Sequence, residues 1–239
     1  MNDSVRTSSQ ERHAALAEQL ADRFSGKGCE VISQFGEVTL VIPSEHLIGV
    51  ATELRDAEDF LFKEMIDVCG VDYSGYGQSE WVTTSASGTG FGRGVEAGKA
   101  ARDDHPTDFA SVYHLLSVAN NLRLRLRVYL DSEQPMVDSV VSIWRGADWF
   151  ERESFDLYGI LYNGHSDLRR ILTDYGFMGH PFRKDFPLEG NVELRFDPEK
   201  NRVVYEPVTI ESRTLVPRVI REDNRYLQPD SDEQDATDA

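Results

Sequence analysis

Between residues 164 and 185 the chain gathers side chains that could do acid–base or metal chemistry: His165, Asp167, Asp174, His180 and Asp185. A histidine beside a carboxylate can move a proton, and two histidines with an acid can hold a metal. Either role needs the groups at one point, and short-range spacing is the usual sign of it. Here no two of them form a familiar ligand pair, such as histidines four apart on a helix. No nucleophile elbow is present, and the two cysteines, Cys29 and Cys69, lie far away along the chain. An iron–sulfur cluster commonly takes four cysteine ligands, which this chain cannot supply alone. A second candidate is the run GTGFGRG at 88–94, which invites comparison with a dinucleotide-binding loop. Gly88 and Gly90 would need a glycine where Arg93 stands, and Gly90 and Gly92 one where Val95 stands. Residues 74–107, with seven glycines from Gly75 to Gly98, read instead as a flexible surface insertion.

Contact with another protein explains the first window better than catalysis does. From Gly164 to Gly190 the bases Arg169, Arg170, Arg183 and Lys184 balance the acids Asp167, Asp174, Asp185 and Glu189, in a chain of net charge −17. Arginine and aromatic residues between turn-forming glycines and prolines are what interface centres enrich. The residues expected at that interface are Arg169, Arg170, Tyr175, Phe177, His180, Arg183, Lys184 and Phe186. The competing reading is a free-standing soluble enzyme using His165, His180 and nearby carboxylates.

Composition narrows the classes. A charge of −17 over 239 residues argues against a general nucleic-acid binder and against a basic patch for anionic lipid. Two cysteines do not make a disulfide scaffold, so a reducing compartment is expected. The N-terminal MNDSVRTSSQER has no apolar core of a signal peptide, and no apolar run approaches the ~18 residues that span a bilayer.

The elements that must position the window follow from periodicity. Residues 8–25 predict a helix, with Ser8 and Glu11 as a capping box and Leu16, Leu20 and Phe24 on one side. A hairpin is expected over 31–42, with a turn near Gly36. Pro43 stops its second strand, and Ser44 is placed to N-cap a helix with Leu47, Ala51 and Leu54 on its apolar face. Residues 60–73 read as a strand. A second hairpin joins 109–118 to 122–130 through Asn120-Asn121. In its second strand Leu122, Leu124, Leu126, Val128 and Leu130 share one face, and Arg123, Arg125, Arg127 and Tyr129 the other. The arginine face is read as solvated or paired with carboxylates, and His114 as a strand histidine without special chemistry. A third helix is expected from the recurrence of Ile143, Ala147, Phe150, Ser154 and Leu157, ending at Gly159. Its Asp148, Arg152 and Asp156, each four apart, are expected to pair along the outer face. The sum is an α+β fold: a two-layer domain with a mostly antiparallel five-stranded sheet and helices on one face, followed by an extended C-terminal arm.

WFERESFDLYGI, then GHSDLRRILTDYGFMGHPFRKDFPLEG, then VELRFD resemble the signature of the C subunit of NADH–quinone oxidoreductase, the bacterial respiratory complex I. The likeness is unbroken over about fifty residues and extends more weakly over 31–73 and 109–220. Ser166 stands where the family usually has proline, and the glycine-rich insertion is longer than the family requires. The chain resembles the stand-alone form rather than the form fused to the D subunit. The resemblance implies a non-catalytic structural subunit with no redox centre of its own, on the cytoplasmic side of the bacterial inner membrane. Its implied partners are subunits D, B and I of the hydrophilic arm. The whole complex would use FMN, iron–sulfur clusters, NADH and a quinone, and translocate protons.

The expected organisation is a head over 1–163, a partner-docking arm over 164–222 and an acidic, disordered tail over 223–239. After Asp197 prolines recur at 198, 207, 217 and 229, which forbids long helices there, and the short apolar groups between them exceed what a bare linker needs.

Overall fold

The computed structural model describes residues 2–76 and 106–210, with residues 2–10 as backbone only. Most of the glycine-rich insertion, the end of the arm beyond residue 210 and the acidic tail lie outside the described residues, as do the glycines of the 88–94 run.

The order is α1 (Asn2–Phe24), β1 (Glu30–Gln34), β2 (Glu37–Val41), α2 (Leu47–Asp56), β3 (Glu64–Asp72), β4 (Phe109–Ser117) and β5 (Leu122–Leu130). There follow β6 (Met136–Asp138), α3 (Ala147–Tyr158), β7 (Leu161–Asn163), β8 (Val192–Asp197) and β9 (Arg202–Pro207). Strands β1 to β5 form one sheet in the order β1-β2-β5-β4-β3. Only the β2–β5 pair is parallel, so the sheet is mixed. Its strands β2 and β5 are separated in sequence by a helix and two strands, and that crossover permits the parallel pairing.

Register shows which face is the core. Leu40 opposes Leu126, which opposes Tyr113, which opposes Val68. All four are buried, and they cluster with Leu16, Leu20 and Phe24 of α1 and Leu47, Val50, Ala51 and Leu54 of α2. The strict leucine alternation of β5 thus faces the helices. On the reverse face Arg125 lies between Thr39 and His114, with Asp67 beyond, and pairs with Glu37. The turn of the first hairpin is Phe35-Gly36, both at positive φ, as a two-residue connection requires.

Three local expectations change. Helix α1 runs straight through Ser8, so that residue is no N-cap; the helix starts at Asn2. Ser44 opens a 3₁₀ turn, Ser44–His46, and makes no capping hydrogen bond; α2 begins only at Leu47. Ile143 and Trp144 lie in turns before α3, where Trp144 donates its indole N–H to the Phe62 carbonyl. Two small sheets add to the expected elements: β6 pairs with β7, and β8 with β9.

Candidate docking site

Helix α3 seats the irregular segment that follows it. Ala147, Ser154 and Leu157 are buried as the apolar recurrence requires, and the Ser154 hydroxyl donates to the Val68 carbonyl at the β3 edge. The helix also buries Glu151, Arg152 and Asp156, while Trp149 stays 69% exposed. These charges do not pair along an outer face. Each is turned toward a segment outside the helix.

Asp156 is fully buried and collects the start of the arm. Its Oδ2 accepts the backbone N–H groups of Ile171 (3.0 Å), Leu172 (2.7 Å) and Thr173 (2.8 Å). Its Oδ1 accepts Arg170 Nη1 at 2.9 Å and the Thr173 hydroxyl. Burial alone would push its carboxyl up, but the hydrogen bonds from Thr173, Leu172 and Arg170 outweigh it and hold the group well below the usual carboxylate range. One helical turn earlier, Arg152 donates to the carbonyls of Arg169 (3.1 Å) and Arg170 (3.2 Å). Acid and base on one helix therefore satisfy donors and acceptors of one irregular strap.

The same strap caps the helix. The last carbonyls of α3 have no partner within the helix. The carbonyl of Asp156 lies 3.0 Å from His180 Nδ1, that of Leu157 accepts Phe182 N–H (3.0 Å), and that of Tyr158 accepts Arg183 Nε (2.6 Å). A cation at this end also suits the helix dipole. The close approach depends on Gly159, at φ +76°: a Cβ there would lie 2.6 Å from Arg183 Nη2 and 2.7 Å from His180 Cδ2. Burial lowers the His180 imidazole pKa, which favours its neutral form. Farther on, Asp72 accepts Lys184 N–H through Oδ2 (2.8 Å), while its Oδ1 accepts the N–H and hydroxyl of Ser74.

Of the interface residues expected from sequence, Arg170, His180 and Arg183 are thus turned onto α3, and Lys184 is held by its backbone. Phe177 and Phe186 stack on each other, with centroids 5.8 Å apart, and Arg170 lies over Phe177. Arg169 pairs with Asp167 at the surface and reaches the Tyr175 hydroxyl at 3.3 Å. Tyr175 is 83% exposed, and Leu172, Met178, Phe182 and Leu188 are exposed beside it in sequence. Arg170, His180 and Arg183 face inward here, while Arg169, Lys184 and several large apolar side chains are exposed.

The two histidines with possible acid–base chemistry are not brought together. His165 binds two helical turns before His180, its Nε2 3.1 Å from both the carbonyl and Oδ1 of Asp148. Its Nδ1 accepts the Asp167 N–H, so the neutral ring carries its proton on Nε2. Nearby Glu151 accepts from the Ser139 hydroxyl (2.6 Å) and the Val140 N–H (2.8 Å); burial raises its pKa. Among the described residues no group of three or more His, Cys, Asp and Glu is placed to hold a metal. Sequence reasoning misses Asp72, Arg152 and Asp156 as the residues that seat the strap, and Glu151 as the residue that holds Ser139 and Val140 ahead of α3. For Glu151 a signal exists: it falls between Ala147 and Ser154 on the apolar stripe, where an acid must be paired.

Fold and site together define an α+β head with a C-terminal strap locked across its third helix. The profile of the family described as respiratory-chain NADH dehydrogenase, 30 kDa subunit, matches residues 40–192. This chain belongs to that family. It is 54% identical over 229 residues to the C subunit of NADH-quinone oxidoreductase from Halorhodospira halophila, covering 90% of this chain and 93% of that one. The corresponding C subunit of Legionella pneumophila (strain Lens) is 52% identical, over 89% of this chain and 94% of that one. A solved trypsin-resistant fragment of Nqo5 is 26% identical and covers 63% of this chain and 98% of its own, with a TM-score of 0.47.

Proposed function

We propose that this chain is a structural subunit of the peripheral arm of a proton-translocating NADH:quinone oxidoreductase, with no catalytic or redox centre of its own. It holds together the subunits that carry electrons from NADH through FMN and iron–sulfur clusters to quinone, on the cytoplasmic side of the inner membrane. Relatives at about half identity over nearly their whole length bear the name of this enzyme's C subunit, which supports membership of the same complex. Among the described residues no helix is long and apolar enough to cross a membrane; in this reading attachment runs through neighbouring subunits. Subunits D, B and I are the neighbours we assign.

The observation that carries the structural role is the strap. Head residues bind Arg170 and the backbone of residues 171–173, leaving an irregular surface whose outward side chains include Leu172, Tyr175, Met178 and Leu188. Fixing a contact surface before binding lowers the ordering cost of association. We take residues 164–222 as the docking arm and 1–163 as the head that shapes it.

The test compares the isolated chain with membranes of a strain lacking it. The isolated chain is expected to show no visible absorbance and no NADH oxidation. The deletion strain should lose NADH:quinone activity and regain it on re-expression. Turnover by the isolated chain would overturn the proposal, as would full activity in the deletion strain.

A further inference from the structure

The hairpin of β8 and β9 leaves its apolar face uncovered. Its register sets Val192 opposite Pro207, Leu194 opposite Tyr205 and Phe196 opposite Val203, so one face is entirely apolar. The other face carries Glu193 opposite Glu206, Arg195 opposite Val204 and Asp197 opposite Arg202. An amphipathic sheet in water buries the apolar side. Here Leu194, Phe196, Val203 and Tyr205 are 53%, 56%, 58% and 65% exposed, while on the reverse face Glu193, Asp197 and Glu206 are half-buried and Arg195 and Arg202 exposed.

We infer that this apolar face docks on an uncharged, aliphatic and aromatic surface of a neighbouring subunit in the same complex. The inference rests on the structural-subunit reading and adds the chemistry of the partner. Charge selects that occupant. On the reverse face Arg195 pairs with Glu206 (2.8 Å), Lys200 with Asp197 (3.2 Å), and Glu193 accepts the Thr209 hydroxyl (3.0 Å). The apolar face itself offers no charge, so a charged partner surface would be desolvated there without compensation. The acidic chain as a whole would favour a basic partner, but this face does not. A bilayer is a poor occupant, because a two-stranded hairpin has open edges whose backbone groups hydrocarbon cannot satisfy. A two-stranded hairpin alone is also marginal in water, so cover on this face stabilises the hairpin as well as the interface.

The experiment replaces the native copy with full-length variants and purifies the assembled oxidoreductase from membranes. F196D and Y205D place a charge on the apolar face, and L194T is a milder change there. E193K and E206K alter the reverse face. Retention of this chain in the complex is measured after washing at about 50 mM and about 500 mM NaCl, since added salt screens ionic contacts but not apolar ones. The expected result is wild-type retention unchanged by salt and a loss of roughly tenfold or more for F196D and Y205D, the cost of placing a charge in an apolar interface. L194T should be intermediate, and E193K and E206K near wild type. Normal retention of F196D and Y205D overturns the inference, and so does release of the wild-type chain by high salt. Absence of the wild-type chain from the complex would instead overturn the structural-subunit reading. Two parallel measurements test the other occupants. Dimerisation of the isolated wild-type chain abolished by F196D would assign the face to a second copy. Binding to phosphatidylcholine vesicles abolished by F196D would assign it to lipid. Thermal unfolding of each isolated variant, unchanged from wild type, shows that the head is intact.

Discussion

The five-stranded sheet of the head and the two-stranded hairpin at residues 192–207 share one sequence device and use it in opposite ways. In β5, leucines alternate with arginines, and the leucines are buried under α1 and α2. In β8, Val192, Leu194 and Phe196 alternate with Glu193, Arg195 and Asp197, and the apolar side chains face outward. Period-two alternation says that two faces differ; it does not say which one meets water. In the head the chain supplies the cover, because helices precede and interrupt the strands. Around the hairpin it supplies none among the described residues. Between the two lies the strap, where order comes from buried charge rather than from alternation.

That contrast is most directly broken by truncating one side chain on the core face. Leu126 is fully buried at the centre of β5. Leu126→Ala is expected to destabilise the isolated chain by about 3 kcal/mol, lost apolar burial plus a residual cavity. Denaturant unfolding of the isolated protein checks it. A cost below about 1 kcal/mol would mean that the core face is no better covered than the hairpin.

The strap should show a smaller effect, confined to itself. Asp156→Asn keeps the size but replaces one accepting oxygen with a donor, facing Arg170 and the N–H groups of residues 171–173. The expected local cost is about 2 kcal/mol, from unsatisfied buried donors. It should appear as faster amide exchange and proteolysis across 164–190, with the unfolding midpoint of the head nearly unchanged. Acid should loosen the same region in wild type. The pKa of His180 is lowered by burial, so the folded strap prefers the neutral ring; its contribution is complete above about pH 6.5 and fades as the pH falls below that value. The carboxyl of Asp156 is held below its ordinary range, so its contribution is complete above about pH 4 and fades only in stronger acid. Glu151 acts oppositely: burial raises its pKa, so its contribution is complete below the ordinary carboxylate pKa and is lost as the pH rises through that of the folded state. Exchange protection of 164–190 should therefore fall in two steps on acidification, and Asp156→Asn should remove the lower one.

How much of this is legible in the sequence differs by region for the same physical reasons. The head is readable because each strand and helix repeats its own period, and Leu122 to Leu130 repeat it without a break. The strap has no period. Asp156 stands four residues after Arg152, a spacing that suggests a local pair, while its partners lie at 170–173 in a segment of irregular turns. Nothing local distinguishes a helix carboxylate facing water from one facing such a segment. The hairpin is hidden by its prolines: Pro198 and Pro207 suggest extended chain, yet they mark the tip and the end of two alternating strands. The chemistry open to His165 and His180 fails for a related reason. Each histidine is close to a carboxylate in sequence, but each binds a different turn of α3.

The smallest effect is the one that most sharpens the comparison. Phe196 is 56% exposed on the hairpin's apolar face, so Phe196→Ala removes little packing within the isolated chain. Its unfolding free energy should shift by no more than about 0.5 kcal/mol, the usual range for a surface substitution. Leu126→Ala, also a large apolar residue cut to alanine in an alternating strand, should cost several times more. If Phe196→Ala also leaves assembly into the complex unchanged, the exposed face is an idle surface and the contrast with the core sheet is only one of neighbours. If assembly weakens while the isolated chain is unaffected, the missing cover belongs to another protein. Stability and assembly then separate residue by residue: the head's apolar positions determine the first, and the hairpin's determine the second.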